Sequence, residues 1–323
     1  MDVGANHNGN LETAKELIIS AAEMGANAIK FQTYTADNLY STKTPKFSKD
    51  PMSPYDMIKI YQHPRDWLPI LNQVAKEHNI CFTSTPFDLE AVDQLEEIDV
   101  PFYKISSPEL VDLELIGYIA KKKKPIIIST GMANLGEIEE AINIILENNN
   151  KNVILLQCTT LYPTPLEAVN LRAMKTLKKS FNQIVGFSDH TLDIHISLAA
   201  VAMGARVLEK HFTLNTKQEG PDHNFALEPL QLKELVEKIR DIEKSMGNGL
   251  KEPHKLELKE NYEKARRSII AAEDIKKGTK ITRNMLIVKR PGYGIKPKFI
   301  NLLVGRIAKI DIENNQWITW EMV

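Results

Sequence analysis

The sequence predicts a (β/α)₈ barrel followed by a small β-rich domain, and three observations carry that reading. Short runs rich in β-branched residues alternate with longer stretches of helical period, which implies right-handed βαβ units and a parallel sheet. Eight such units fit before Gly247, a span that suits a closed barrel better than an open doubly wound sheet. From about Arg266 the pattern changes to short alternating runs that turn on Gly278 and hold no long helix.

Taken in order, the opening "MDVGANHNG" reads as the C-terminal end of a strand, an apolar stub running into a turn and then the helical stretch LETAKELIISAAEM. Its edges would be unpaired and the core beside it open, because little chain precedes it. Seven further strands follow: NAIKFQT, ICFTST, FYKISS, PIIIST, NVILLQC, QIVGFSD and RVLEKHF. Helical patterns such as LGEIEEAINIILE lie between them, and the residues between His190 and His211 read as an amphipathic helix. The last helix, LQLKELVEKIRDIEKSM, ends at Gly247. These boundaries give a barrel domain over 1–247, a polar linker over 248–265 and a β-rich domain over 266–323.

The 323 residues carry a formal net charge of -1, with 41 Lys and Arg against 42 Asp and Glu. Such a balance offers no general attraction to nucleic acid or to an anionic membrane, so an anionic partner must be held by a local cluster. Nothing resembles a membrane span or an export signal. Cys81 and Cys158 both lie in apolar runs, as buried reduced thiols do, which suits the cytoplasm. The run Lys121 to Lys124 closes a helix and reads as a solvated end.

In a parallel barrel the chemistry comes from strand C-termini and the loops after them. Those positions hold Lys30, Gln32, Thr85, Lys104, Ser107, Glu109, Ser129, Thr160, Tyr162, Ser188, His190 and His211. Lys30 and Lys104 sit inside strands, where an unpaired charge is costly to bury, so the two together suggest a bound anion. Hydroxyls from several strands, and the helix N-terminus entered through "STGMANLGE", add donors of the kind a phosphate needs. His190 and His211 lie one strand–helix–strand step apart, which brings both imidazoles to one rim, close enough to share a divalent ion such as Mn²⁺ or Mg²⁺ whose other positions water or substrate would fill. The loop "EGPDHN" would carry Asp222 over the mouth.

The motifs "NHNGNLETAKELI", "GANAIKFQTY", "FTSTPFD", "YKISS", "ISTGMA", "CTTLYPTP", "GFSDHTL", "LEKHFTL", "GPDHNFALEP" and "KRPGYGI" resemble the sialic acid synthase family, in the family's order and across nearly the whole chain. The resemblance implies a TIM barrel joined to a small antifreeze-like, or SAF, domain, acting as a domain-swapped homodimer. It implies condensation of phosphoenolpyruvate with an N-acetylated hexosamine, typically N-acetylmannosamine, to give a nine-carbon 2-keto acid and phosphate. By the same resemblance Lys30, Thr85, Lys104, Ser107, Ser129, Tyr162 and Ser188 form the phosphoenolpyruvate pocket, and His190 and His211 hold the metal. That metal is expected to be Mn²⁺, with Mg²⁺ or Co²⁺ as substitutes. Gln32, Tyr162 and Asp222 would face the sugar, Glu109 would sit at the reacting centre, and Arg290 would reach the N-acetyl group from the partner chain's small domain.

Two positions depart from the family pattern. Asp2 stands where members commonly carry Glu, keeping the carboxylate on a shorter stem, and Thr160 is Asn in some members. Legionaminic acid synthases share the "PDH" form, which leaves a 2,4-diacetamido-2,4,6-trideoxymannose substrate as an alternative. A different phosphoenolpyruvate-using or phosphosugar barrel, and a non-catalytic sugar-binding protein, are the remaining readings.

Overall fold

Seven parallel strands form over the seven β-branched runs: β1 Ala28–Thr33, β2 Cys81–Pro86, β3 Tyr103–Ile105, β4 Ile126–Ser129, β5 Val153–Cys158, β6 Ile184–Asp189 and β7 Leu208–Lys210. This computed structural model describes residues 1–48 and 52–323, in two units, Met1–Gly247 and Asn248–Val323. β1 pairs with β2, and β3 to β7 pair successively in one sheet. The Thr83 hydroxyl donates to the Phe102 carbonyl at 2.7 Å, tying β2 to the entry of β3.

The stub closes the ring between β1 and β7, so the expected unpaired edges do not occur. Lys30 N donates to Met1 O at 2.7 Å and Val3 N to Lys30 O at 2.8 Å; on the other side Asp2 N donates to Lys210 O at 2.9 Å and Phe212 N to Asp2 O at 2.8 Å. Three residues are enough because a barrel strand needs few rungs when both neighbours are already held. The expectation of an open core there has a counterpart: a cavity of about 320 Å³ lined by Met1, Ala28, Phe102, Ile127, Leu208 and Leu232 among others.

Each strand buries one face against helices and the other in the lumen, which is why β4 is buried at all four positions. Helix Leu11–Glu23 starts at Asn10, whose side chain accepts from Thr13 N, and buries Ala14, Leu17, Ile18 and Ala21 at helical spacing. Helix His195–Ala202, between β6 and β7, does not separate an apolar from a polar face as its sequence suggested: Ser197 and Ala200 are buried, while apolar Leu198, Ala199 and Val201 are only half-buried. Cys81 also departs from expectation. It is exposed, because it opens β2 at the strand's first position, whereas Cys158 closes β5 and is buried. Among the described residues no helix is long and apolar enough to cross a membrane.

In the second unit β8 Ser268–Ala271 pairs antiparallel with β9 Leu286–Lys289, and further bridges join Ile270 to Trp317, Ile275 to Ile312 and Lys280 to Ile307. Its own core includes Ile269, Ile275, Ile281, Leu286, Leu303, Ile312 and Ile318. The chain turns at Gly278, whose φ of +85° favours glycine.

Gly186 in β6 is fixed by close approach. A Cβ there would lie 2.2 Å from the Val207 carbonyl oxygen and 2.6 Å from Leu156 Cδ2. Gly186→Ala is therefore expected to cost about 1–3 kcal/mol through overpacking, lowering the melting temperature by roughly 2–4 °C per kcal/mol. A melt of the variant unchanged within a degree would contradict this packing.

Candidate active site

The C-terminal ends of the strands converge on a buried charge cluster in the lumen. Alternation along β1, β3 and β7 points Lys30, Lys104 and Glu209 inward, and the stub adds Asp2. Lys30 Nζ lies 2.7 Å from Asp2 Oδ2 and 4.0 Å from Glu209 Oε1, and Lys104 Nζ lies 3.6 Å from Glu209 Oε2. Both lysines thus have carboxylate partners, so the premise that they are buried unpaired is corrected. Reading along the chain could not pair residues contributed by four separate strands.

Hydroxyls complete the pocket. Lys104 Nζ donates to Ser129 Oγ at 2.7 Å and to the Ile105 carbonyl at 2.9 Å, Lys30 Nζ donates to Thr85 Oγ1 at 3.4 Å, and Ser188 Oγ donates to Glu209 Oε1 at 3.3 Å. Ser107 Oγ accepts from Gly131 N at 2.9 Å. A Cβ on Gly131 would fall 2.4 Å from Thr160 Oγ1, an atom that is buried without a partner. Two N–H groups of the next helix N-terminus are already taken: Asn134 Oδ1 accepts from Gly136 N and Glu137 N at the start of the helix Leu135–Glu147.

Burial opposes the charge on Asp2, but the Lys30 ammonium, with the Gly4 N–H donating to Oδ1, outweighs it and holds the carboxyl well below its usual range. Burial likewise opposes the Lys30 ammonium, and Asp2 and Glu209 more than restore it. At Lys104 burial wins over Glu209 and the pKa is lowered. Glu209, despite burial, is held down by Lys104 and Lys30. Glu109 has no such partner for Oε2, and burial pushes its carboxyl up to about 7.

His190 and His211 stand side by side at the rim, ring centroids 5.5 Å apart, with Tyr162 4.4 Å from His190 and Phe225 5.0 Å from His211. Tyr162 is 52% exposed, as a residue at the mouth should be. His190 Nδ1 lies 3.0 Å from the Thr159 carbonyl, a contact that leaves Nε2 as the free nitrogen. His211 is buried, its pKa lowered by burial and therefore neutral, and its Nδ1 has no hydrogen-bond partner. Two imidazoles with free nitrogens in one rim fit a divalent cation. Among the described residues no group of three or more His, Cys, Asp or Glu is arranged to hold a metal, so the remaining positions would fall to water and substrate oxygens.

Asp222 lies beside His211 and the first turn of the chain. Its Oδ2 accepts from Ala5 N at 2.8 Å and lies 3.9 Å from His211 Nδ1. Gln32 Nε2 donates to Asp2 Oδ2 at 3.3 Å, facing the same space. His223 is turned away, its Nδ1 2.7 Å from Thr213 Oγ1 and its Nε2 3.2 Å from Asn8 Oδ1. Arg290 lies exposed in the second unit, at the end of β9.

The description "NeuB family" matches residues 17–251, and the SAF domain matches residues 266–323. The chain belongs to the NeuB family. It is 46% identical to the N,N'-diacetyllegionaminic acid synthase of Campylobacter jejuni over 98% of this chain and 97% of that one. It is 36% identical to the human N-acetylneuraminate-9-phosphate synthase over 100% and 91%. The crystal structure of the sialic acid synthetase of Leptospira borgpetersenii, in complex with citrate, matches 80% of this chain and 88% of its own at 34% identity and a TM-score of 0.73. This is an enzyme family, and the barrel joined to an SAF domain is its architecture.

The sequence of this NeuB-family chain places Glu209 beside the histidines but does not by itself pair it with the lysines, whose shared counter-ion it is. The signal was its place in β7 two residues before His211, on the same side of the strand. For Glu109 the folded carboxyl keeps its proton to about 7, whereas an unperturbed one loses it near 4.5. Between those values the folded state binds more protons, so this group's contribution to stability is full below about 4.5, declines as pH rises, and is gone above about 7. Glu109→Gln removes the decline. In urea unfolding its stability relative to the wild type should rise between pH 4.5 and 7.5, and parallel profiles would refute the assignment.

Proposed function

We propose that the barrel condenses phosphoenolpyruvate with the open-chain form of an N-acetylated hexosamine and water, releasing inorganic phosphate and a nine-carbon 2-keto sugar acid. The observation that carries this reading is the meeting, at one rim, of a hydroxyl-lined pocket holding two lysines and a pair of buried histidines with free nitrogens. A divalent cation held by His190 and His211, Mn²⁺ in the first instance, would polarise the sugar's aldehyde oxygen as a Lewis acid.

The chain's own residues hold the reactants. Lys30 with Thr85, and Lys104 with Ser129, bind the carboxylate and phosphate charges of phosphoenolpyruvate, and Ser107, Thr160 and Ser188 supply further polar contacts. C3 of the enol then forms a bond to the aldehyde carbon, water adds at C2, and phosphate departs by C–O cleavage. Placing both reactants in one pocket replaces a bimolecular encounter with a local one. Glu109, with a pKa raised to about 7 by burial, is poised to exchange a proton near neutral pH. Asp2, Gln32, Tyr162 and Asp222 orient the sugar, and Arg290 meets the N-acetyl group from the SAF unit of a second copy in a domain-swapped dimer.

Two sugars fit this reading. N-acetylmannosamine is the first; a 2,4-diacetamido-2,4,6-trideoxymannose is supported by the 46% identity to a diacetyllegionaminic acid synthase.

The test is phosphate release from phosphoenolpyruvate with Mn²⁺ and each sugar in turn. Release with one of them is expected, reduced by roughly two orders of magnitude or more in His211→Ala. Release only with a phosphorylated aldose that lacks an N-acetyl group would point to another barrel chemistry, and no release from the folded protein with any sugar would favour the binding-protein reading.

A further inference from the structure

Asp189 and Lys210 form an ion pair that none of the site chemistry uses. Their side chains are 0% and 1% exposed, with Lys210 Nζ 3.1 Å from Asp189 Oδ2. They are partners in the β6–β7 register, and each is followed directly by one of the two rim histidines. Alternation along the strands turns Ser188, Glu209, His190 and His211 toward the lumen and turns Asp189 and Lys210 outward, onto the helix His195–Ala202.

The Asp189 carboxylate is fully engaged. Asp189 Oδ1 accepts from Thr191 N at 2.8 Å and from Thr191 Oγ1 at 2.7 Å, and Asp189 Oδ2 also accepts from Ser197 Oγ. Lys210 Nζ donates to the Thr191 carbonyl at 2.6 Å. His190 therefore sits between two residues clamped by one carboxylate, and the same ammonium ties that segment to the strand bearing His211. The histidines' own carbonyls accept from Thr164 N and Leu227 N at 2.9 Å each, so the main chain is held on both sides of the rim.

A fully buried ion pair is poor value as a source of stability, since well-packed apolar side chains of like volume often do as well or better. What it offers over them is a directional constraint. We propose that the Asp189–Lys210 pair is a positioning device that locks the ends of β6 and β7 in register from outside the barrel and so sets the separation and aim of His190 and His211. The inference rests on the reading of those histidines as ligands of a divalent cation.

The experiment uses Co²⁺ as a spectroscopic probe on the full-length protein. Asp189→Asn/Lys210→Met replaces the pair without leaving a lone buried charge. It is expected to fold, by circular dichroism and melting, yet to bind Co²⁺ about 10- to 100-fold more weakly, with an altered ligand-field spectrum. Leu71→Ala, a cavity variant in the helix Trp67–Glu77, controls for lost stability and should keep the parent's Co²⁺ affinity and spectrum. Should the double variant not fold, Asp189→Asn, which retains an acceptor for Thr191 and Ser197, takes its place in the same comparison. Parent-like affinity and spectrum in the pair variant, with binding lost in His211→Ala, would overturn the positioning role alone. Parent-like Co²⁺ binding in both His190→Ala and His211→Ala would overturn the metal reading and the positioning role with it.

Discussion

The barrel lumen is organised around four buried charges, Asp2, Lys30, Lys104 and Glu209, and most of the site follows from how they neutralise one another. Each ion alone would lose several kcal/mol of hydration on entering such an interior. Arranged as Asp2 against Lys30 and Glu209 between both lysines, the set sums to zero charge, and its members keep most of their donors and acceptors engaged. The two lysines differ in consequence. Lys30, 2.7 Å from a carboxylate, keeps its proton firmly, whereas Lys104 relies on Glu209 at 3.6 Å and on neutral acceptors, and burial pulls its pKa down. An anion entering the pocket would find Lys104 the less committed of the two and gain most by pairing with it.

The same cluster explains how so short a first strand can complete a ring. Backbone bonds from Met1, Asp2 and Val3 reach β1 on one side and β7 on the other, and the Asp2 carboxylate adds a lumen-side contact to each neighbour, Lys30 and His211. Ring closure and site assembly are thus one event. A defect at Asp2 would loosen the β1–β7 seam while removing the counter-charge of Lys30, so effects on folding and on ligand binding at this residue are coupled by construction.

Much of this was legible in the sequence where information is local. Apolar runs mark the strands because most positions of a strand covered on both faces are apolar, the polar exceptions being those that face the lumen site, and Asn10 marks the first helix because its side chain satisfies a free N–H. Lys30 and Lys104 inside strands, and His190 and His211 just past strand ends, could be placed from the strand pattern alone. The pairings were not legible, since Asp2, Lys30, Lys104 and Glu209 come from strands far apart in the chain and only closure brings them together. Composition also misled locally: Cys81 has apolar neighbours but opens its strand in the open, and the helix after β6 buries polar Ser197 while apolar neighbours stay half-buried, so polarity does not tell which face is covered.

The charges that flank the two histidines show how one strand can serve two purposes. In β7, Glu209 and His211 face inward and Lys210 outward; in β6, Ser188 and His190 face inward and Asp189 outward. Inward groups are free to change partners when a ligand arrives, because Glu209 shares its carboxylate between two lysines and a serine at distances of 3.3 to 4.0 Å. Outward groups are not, because the Asp189 carboxylate is filled by Thr191, Ser197 and Lys210. A site that must exchange its ligands on each cycle needs its loosely held charges on a frame that does not move with them. The period-two alternation of a parallel barrel separates the two roles by a single residue, adaptable on the lumen side and fixed on the helix side.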